Sequence, residues 1–159
     1  MSSYFRECIT WETVHLNESI LFKDSVILGL LTLVGPSVKK IFIEQGVRTK
    51  ASVRSLSAFA LDEALCTLVN AEKVAIHHSS SLLTCKFLTK LQGFCTVQFQ
   101  NTPYLTGREI ERTLCGVKTK VMVLDLSGVW QLSQDNVVEI VKSTPWIISL
   151  NVGKAAEIN

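Results

Sequence analysis

The chain has 159 residues, of which 47% are hydrophobic and 19% charged, with a formal net charge of +2. This length is typical of a single domain, and a hydrophobic fraction this high excludes a disordered, highly charged chain. Because the 16 basic residues are scattered among 14 acidic ones, no phosphate-binding patch is indicated, and we expect no nucleic-acid partner.

The N-terminal region and the most apolar segment both argue against membrane targeting. Residues 1–10 contain no basic stretch followed by an apolar run, so no secretory signal is visible. The most apolar window, residues 25–34, follows Lys23 and Asp24 and ends at Gly35 and Pro36. Its length is about half of the roughly 20 residues that a membrane span needs. We therefore expect a buried helix there and no membrane association.

The cysteines do not follow a metal-binding or disulfide pattern. There are five of them, at irregular spacing and without a Cys-x-x-Cys pair: Cys8, Cys66, Cys85, Cys95 and Cys115. Because an odd number of irregularly spaced cysteines is typical of free, mostly buried thiols in a reducing compartment, we predict a cytoplasmic or nuclear protein. No metal or other cofactor is indicated.

Six short segments share the pattern apolar-x-x-apolar-x-apolar, and we interpret them as β-strands. They begin at residues 11, 38, 71, 94, 121 and 147, so neighbouring matches lie 23 to 33 residues apart. The matches are Trp11-x-x-Val14-x-Leu16, Val38-x-x-Ile41-x-Ile43, Ala71-x-x-Val74-x-Ile76, Phe94-x-x-Val97-x-Phe99, Val121-x-x-Leu124-x-Leu126 and Ile147-x-x-Leu150-x-Val152. A period of this length is typical of repeat architectures.

A second pattern follows four of these strands at a nearly constant distance. A leucine comes five or six residues after the last apolar strand residue, and another apolar residue comes five positions later. The pairs are Leu21 with Val26, Leu82 with Phe87, Leu105 with Ile110, and Leu132 with Val137. The second unit, residues 38–70, fits worst, since it contains an extra apolar pair at Val53 and Leu56 and an expected insertion around residues 45–52.

The segments between the strands have helical periodicity. We predict helices over residues 25–34, 61–69, 107–114 and 135–141. In the last of them, Val137, Ile140 and Val141 share one face, and Ser133 or Asp135 can cap the start. Proline cannot continue a helix, so the Gly-Pro at 35–36 and the Thr-Pro at 144–145 should end two of them. Each unit is therefore one strand followed by one helix.

The residues that carry these patterns resemble a known family. Leu124-Asp-Leu-Ser127, Leu132-Ser-Gln-Asp135 and residues 145–152 (PWIISLNV) are similar to leucine-rich repeats of the ribonuclease-inhibitor type and to the repeats found behind F-boxes. The resemblance extends from Trp11 to about Gly153 and is specific in the last two units. The Asn or Cys position after the strand is not consistently filled, several expected leucines are Val, Ile or Phe, and no F-box fits before Trp11.

The resemblance implies an α/β solenoid formed by one domain, residues 1–159. A curved parallel sheet of five or six short strands would lie inside, with helices on the convex side. Residues 1–10 would be a short N-terminal cap and residues 154–159 a C-terminal tail. Residues 124–129 also resemble the switch strand of anti-sigma-factor antagonist domains, which are compact α/β domains, and this is the alternative fold.

If the template residues point into the core, strand alternation places the residues between them on the opposite, concave face. That face is polar and mixed in charge, with one large apolar residue, Phe42. An exposed aromatic side chain on such a surface is typical of a contact anchor. A register slip by one residue would instead put Phe42 in the core. Trp11 and Trp146 are expected to cap or fill the core between units.

Catalytic and ligand-binding patterns are weak. His77 and His78 are followed by Ser79, Ser80 and Ser81, but no Gly-x-Ser-x-Gly motif or positioned acid accompanies them. A strand end with a polar loop explains them better. Neighbouring strand residues point to opposite faces, so the two histidines are poorly placed to share a metal ion.

The sequence thus predicts a non-catalytic protein–protein interaction module rather than an enzyme. We expect its contact surface to be the concave face, at Phe42, Lys73, His77, Gln98 and Asp125. The resemblance implies an adaptor or substrate-recognition subunit of a ubiquitin-ligase-type complex. The alternative is a structural subunit that assembles through an uncapped C-terminal edge. There, Trp146 and Ile148 would contact another copy or a different protein.

Overall fold

The computed structural model describes residues 11–17, 23–45, 56–116 and 120–154. Strands and helices alternate along most of the chain. The strands are β1 (Thr13–Asn17), β2 (Lys40–Glu44), β3 (Lys73–His77), β4 (Cys95–Gln100), β5 (Val121–Asp125) and β6 (Ser149–Asn151). The helices are α1 (Asp24–Val34), α2 (Ala58–Leu65), α3 (Gly107–Gly116) and α4 (Gln134–Ser143), with shorter 3₁₀ segments at Gly35–Ser37 and Lys86–Lys90.

The six strands form one parallel sheet in chain order, β1-β2-β3-β4-β5-β6. The predicted α/β class, with a parallel sheet of five or six strands, is therefore confirmed. The strands are also aligned as the sequence template predicts. One row across the whole sheet consists of Thr13, Lys40, Lys73, Thr96, Val123 and Ser149.

One face of the sheet is covered and forms the hydrophobic core. Two rows of strand residues belong to the same buried cluster as the helix residues, so the helices pack on this face. The first row is Val14, Ile41, Val74, Val97 and Leu124, and the second is Leu16, Ile43, Ile76, Phe99 and Leu126. The second and third template residues of the first five units thus point inward as expected, and Phe42 lies on the opposite face, because its neighbours Ile41 and Ile43 are both buried.

The turn that follows each strand repeats as well. Leu82, Leu105 and Leu132 are almost fully buried, as their recurrence in the sequence predicts. Positive φ angles occur at equivalent register positions in four successive units, at His78, Asn101, Gly128 and Lys154. A backbone hydrogen bond links this position to the next unit in four places. The donors are the N–H groups of Gln45, His78, Asn101 and Gly128, and the acceptors are the carbonyl oxygens of His77, Gln100, Ser127 and Gly153, at N···O distances of 3.1, 2.8, 3.1 and 3.2 Å.

Three of the predicted helices start and end near their expected positions, and the fourth is shifted. α2 begins at Ala58 because the Ser57 side chain accepts a hydrogen bond from the Ala60 N–H and so caps the helix three residues earlier than expected. In α4, Ser133 rather than Asp135 is the cap, and Asn136 completes a capping box. The unit with the shortest spacing, between β3 and β4, has only the 3₁₀ segment on its helical side.

Several apolar residues are not where the sequence patterns place them. In α1, the recurring apolar residue Val26 is 50% exposed, whereas its neighbour Ile27 is buried. Val141 on α4 is also exposed, although it shares a face with Ile140. Trp11 and Trp146, expected to cap or fill the core, do not fill it, since they are 44% and 50% exposed.

The strand template fails at Phe94, which is 48% exposed. Alternation along β4 places Cys95 on the same buried face as Val97 and Phe99, so Cys95 takes the buried position that the template assigned to Phe94. The pairing of β4 with β5 also shifts between Cys95 and Thr96, because Met122 on β5 lies between their partners Val121 and Val123. Such an extra residue re-aims the side chains beside it on its own strand.

Some predictions concern residues outside the described part of the chain. These are the N-terminal cap (residues 1–10), Leu21, most of the insertion expected at 45–52, Val53 and the tail beyond residue 154. Four cysteines within the described ranges are free thiols: Cys85 and Cys95 are buried, Cys66 is half-buried and Cys115 is exposed. In the same ranges, no helix has the length and apolar character needed to cross a bilayer.

Candidate functional site

The sheet face opposite the helices, here called the open face, carries three aligned rows of side chains. The first row is Thr13, Lys40, Lys73, Thr96, Val123 and Ser149. The second is His15, Phe42, Ala75, Gln98, Asp125 and Asn151, and the third is Asn17, Glu44, His77 and Gln100. Parallel pairing brings side chains from distant parts of the chain into contact here, because each row crosses the strands at right angles.

At the β1–β3 end of the open face, aromatic and basic side chains pack together. The rings of His15 and Phe42 are stacked, with centroids 4.5 Å apart and an angle of 10° between planes. The Nζ atom of Lys73 lies 5.1 Å from the centroid of the Phe42 ring, within the range of a cation–π contact. We call His15, Lys40, Phe42 and Lys73 the lysine–aromatic patch.

The centre of the open face is formed by smaller or uncharged side chains. Ala75 lies between Phe42 and Gln98 in the second row and is only 1% exposed. Gln98 is half-buried and separates the lysine–aromatic patch from Asp125. The structure thus brings the predicted residues Phe42, Lys73 and Gln98 into one continuous surface.

His77 lies between two polar neighbours, Glu44 on β2 and Gln100 on β4. Its Nε2 atom is buried and makes no hydrogen bond. Burial lowers the pKa of His77, and its electrostatic interactions with His78 and Lys73 act in the same direction, whereas those with Glu44 and Asp125 oppose the shift. Within the described ranges, no three His, Cys, Asp or Glu side chains come together as metal ligands.

Asp125 is buried and held by its neighbours. One carboxylate oxygen accepts a hydrogen bond from the Gln100 Nε2 atom and the other from the Ser127 N–H, both at 2.9 Å. Burial by itself would raise the pKa of Asp125, but these hydrogen bonds, with a further one from the Asn151 side chain, lower it below the usual aspartate value. Asp125 is therefore a fixed negative charge at neutral pH.

A polar cleft of about 300 Å³ opens beside Asp125, at the carboxyl ends of β4 to β6. It is lined by Gln100, Asn101, Ser127, Asn151, Gly153 and Lys154. Two of these residues, Asn101 and Lys154, have positive φ angles, so the repeated turn shapes this cleft. The sequence pattern did not indicate it, because the turn conformation has no consistent residue type at this position.

The serines after His78 have structural roles. The Ser79 Oγ atom donates to Oε1 of Gln45 at 2.7 Å and accepts hydrogen bonds from the N–H groups of Ser81 and Leu82. The Ser81 hydroxyl donates to the Leu56 carbonyl oxygen. These hydroxyls tie the third unit to the second and are buried. Sequence analysis missed Gln45, whose partner lies 34 residues away.

A second surface lies at the other end of the sheet, at β6. Trp146 packs edge-on against Phe94, with ring centroids 5.7 Å apart, and Lys120 lies 5.9 Å from the Phe94 ring. Ile148 is 75% exposed, the most of any large hydrophobic residue in the described ranges. We call Phe94, Trp146, Ile148 and β6 the terminal edge. Four strand spacings, about 19 Å, separate β6 from β2, so Trp146 and Ile148 do not join the lysine–aromatic patch.

Comparison with protein-family models finds no match to this chain, and comparison with curated proteins finds none either. The two surfaces described above are therefore the basis for a functional proposal.

Proposed function

We propose that this protein is a non-catalytic interaction module that binds another protein through its open face. The observation that carries the proposal is the lysine–aromatic patch, where Phe42 is partly exposed on an otherwise polar sheet. Aromatic side chains surrounded by polar contacts are typical anchors of protein interfaces. The open face consists of strands paired on both sides from β2 to β5, so its side chains are held at fixed spacing and binding orders few of them.

The proposed architecture is a solenoid of the leucine-rich-repeat type. Three observations support it: the strands follow chain order, a buried leucine recurs at Leu82, Leu105 and Leu132, and the left-handed turn recurs in four units. Neighbouring units of this kind share a continuous core, and stability comes from their stacking. By its resemblance to the repeats behind F-boxes, we further propose a cytoplasmic or nuclear adaptor or substrate-recognition subunit of a ubiquitin-ligase-type complex.

A non-catalytic role agrees with how the reactive side chains are used. Ser79 and Ser81 are engaged in structural hydrogen bonds, and Asp125 is held by Gln100 and Ser127. A catalytic nucleophile or base needs free access to the reacting atom, which these buried groups lack.

The test is a comparison of substitutions on the two sides of the sheet. The tagged protein and its Phe42→Ala and Gln98→Ala variants are used to purify partners from native cells, and the partners are identified by mass spectrometry. Phe59→Ala is the matched control, because Phe59 is 71% exposed on α2, on the helical side. We expect Phe42→Ala to lose the partners that the wild type retains and Phe59→Ala to keep them. Equal retention of the partners by Phe42→Ala and Phe59→Ala would contradict the proposal.

A second candidate function, a structural subunit of a larger complex, is favoured by the terminal edge. The core residues of the last unit, Ile147, Leu150 and Val152, are only partly buried, in contrast to their fully buried equivalents on β5. If this edge holds an assembly together, Trp146→Ala and Ile148→Ser should convert the assembled form to a monomer in light scattering. Phe42→Ala should leave the assembly intact. Wild-type protein that is monomeric and partner-free at micromolar concentration would count against this function.

A further inference from the structure

Two lysines lie directly opposite each other on the open face, where their charges repel. Lys40 and Lys73 are register partners on β2 and β3, and neighbouring strands are about 4.8 Å apart. Like charges in this arrangement destabilise a sheet. In the part of the chain that the structure describes, neither lysine has a carboxylate within 4.0 Å, whereas Lys39 and Glu72, the residues just before β2 and β3, form an ion pair.

The surroundings of the two lysines suit a carboxylate ligand. Thr13 and Thr96 flank them in the same row, so the row presents two ammonium groups between two hydroxyl groups. All four side chains can donate hydrogen bonds to an anion. Two separate positive charges, rather than one bidentate guanidinium, can accommodate two carboxylates from neighbouring side chains of a partner.

The stacked rings beside the lysines indicate that the ligand has an apolar side chain next to its acidic groups. The His15–Phe42 stack lies in the next row, and Lys73 contacts the Phe42 ring. His15 is exposed and Phe42 is half-buried, so an apolar side chain of the ligand can pack against their rims while its acidic neighbours reach Lys40 and Lys73.

The open face also carries negative charge away from the two lysines. Glu44 lies four residues after Lys40 on β2, about 13 Å further along the strand. Asp125 is a fixed negative charge on β5, in the same row as Phe42 and three strands away from it. A nucleic acid or another regular polyanion would bring phosphates close to these carboxylates, whereas a short protein segment with its acidic residues at one end would not. The charge pattern therefore favours an acidic peptide.

We infer that the partner presents a short acidic segment, a pair of carboxylates next to an aliphatic or aromatic residue, and that this segment binds the lysine–aromatic patch. The inference rests on the proposed function of the open face and adds the chemistry of the ligand. The carboxylates pair with Lys40 and Lys73, and the apolar residue packs on the His15–Phe42 stack.

The experiment uses an array of nine-residue peptides in which two glutamates precede Phe, Leu or Tyr at several spacings. A matched array carries glutamines in their place. We expect the glutamate peptides to bind about ten-fold more tightly than the glutamine peptides, and high salt to remove the difference. Lys40→Glu and Lys73→Glu should each weaken binding several-fold. Glu44→Gln, which removes a negative charge from the same face, is the control and should bind at least as tightly as the wild type.

Backbone amide shifts in NMR locate the site and separate the possible ligands. Bound glutamate peptide should shift residues around 40–42 and 73–75 and leave β6 unchanged. Equal binding of the glutamine peptides would overturn the inference, as would failure of every peptide to bind. So would inorganic phosphate alone, if it produced the same shifts and displaced the peptides, because the site would then accept simple anions.

The partners purified from cells separate failure of this inference from failure of the proposed function. If Phe42→Ala abolishes capture of a partner and the double variant Lys40→Glu/Lys73→Glu does not, the open face is the interface and the acidic ligand is wrong. If neither variant affects capture, both the inference and the proposed function are wrong. Thermal melting of the double variant controls for folding: it replaces one like-charge pair by another, so its stability should stay close to that of the wild type.

Discussion

The terminal edge can be tested with the same substitution at two equivalent positions. Leu124 on β5 and Leu150 on β6 are register partners. Leu124 is fully buried, whereas Leu150 is only partly buried. At Leu124 the change to alanine removes apolar contacts and leaves a closed cavity, so we expect a loss of about 3–5 kcal/mol in the free energy of unfolding. At Leu150 the site is open on one side, so less area leaves water on folding and no closed cavity forms; we expect about 1–2 kcal/mol.

Urea denaturation followed by circular dichroism measures both losses, at protein concentrations between about 1 and 100 μM. A 100-fold range is needed because association through the terminal edge would stabilise the folded state more at high concentration. The reasoning is refuted if Leu150→Ala costs as much as Leu124→Ala at every concentration, since β6 would then be as well covered as β5. A large Leu150→Ala effect that appears only at high concentration would instead support assembly through this edge.

Three further predictions follow from individual sites. Gly107→Ala should destabilise the protein by about 1–3 kcal/mol, because an added Cβ would lie 2.6 Å from the Gln131 carbonyl oxygen. The control is Gly29→Ala in α1, where the space around the glycine is open, and it should stabilise the protein by about 0.5–1 kcal/mol. Chemical denaturation measures both changes. Iodoacetamide should label the exposed Cys115 of the native protein but should react with Cys85 only after unfolding. The reason is that Cys85 is buried and that burial raises the pKa of its thiol to about 12. Mass spectrometry of the labelled peptides shows which thiol reacts. Because hydrogen bonds lower the pKa of Asp125 in the folded state, its contribution to stability is complete above the ordinary aspartate value of 3.8 and is lost as the pH falls through the lower, folded value. The melting temperature should therefore decrease less on acidification for Asp125→Asn than for the wild type. The same dependence of melting temperature on pH in both proteins would contradict this role of Asp125.

The periodic part of the fold could be predicted from the sequence. Strand residues alternate between two faces, so the apolar template by itself assigned Ile41 and Ile43 to the core and Phe42 to the open face. The fixed distance to the next leucine located Leu82, Leu105 and Leu132, and proline marked the ends of two helices. These signals are local, and each unit repeats them, so an error in one unit does not spread to the next.

Departures from the repeat depended on tertiary structure. The register between β4 and β5 shifts between Cys95 and Thr96, so that Met122 of β5 lies between two paired residues, and this irregularity belongs to the pairing of two strands rather than to one segment. Trp11 and Trp146 belong to the first and last units of the described part of the chain, whose strands β1 and β6 each pair with one other described strand. Burial there depends on what packs next to a residue and not on its type.

The sequence by itself determined the order of the units, the inward face of each strand and the position of Phe42 as the large apolar residue of the open face, because these follow from side-chain periodicity along one segment. Only the tertiary structure decided that His15 stacks on Phe42, that Lys73 covers the same ring, and that Asp125 is held by Gln100. Those contacts join strands 23 to 33 residues apart, and the distances between side chains from different strands are set by the pairing of the sheet.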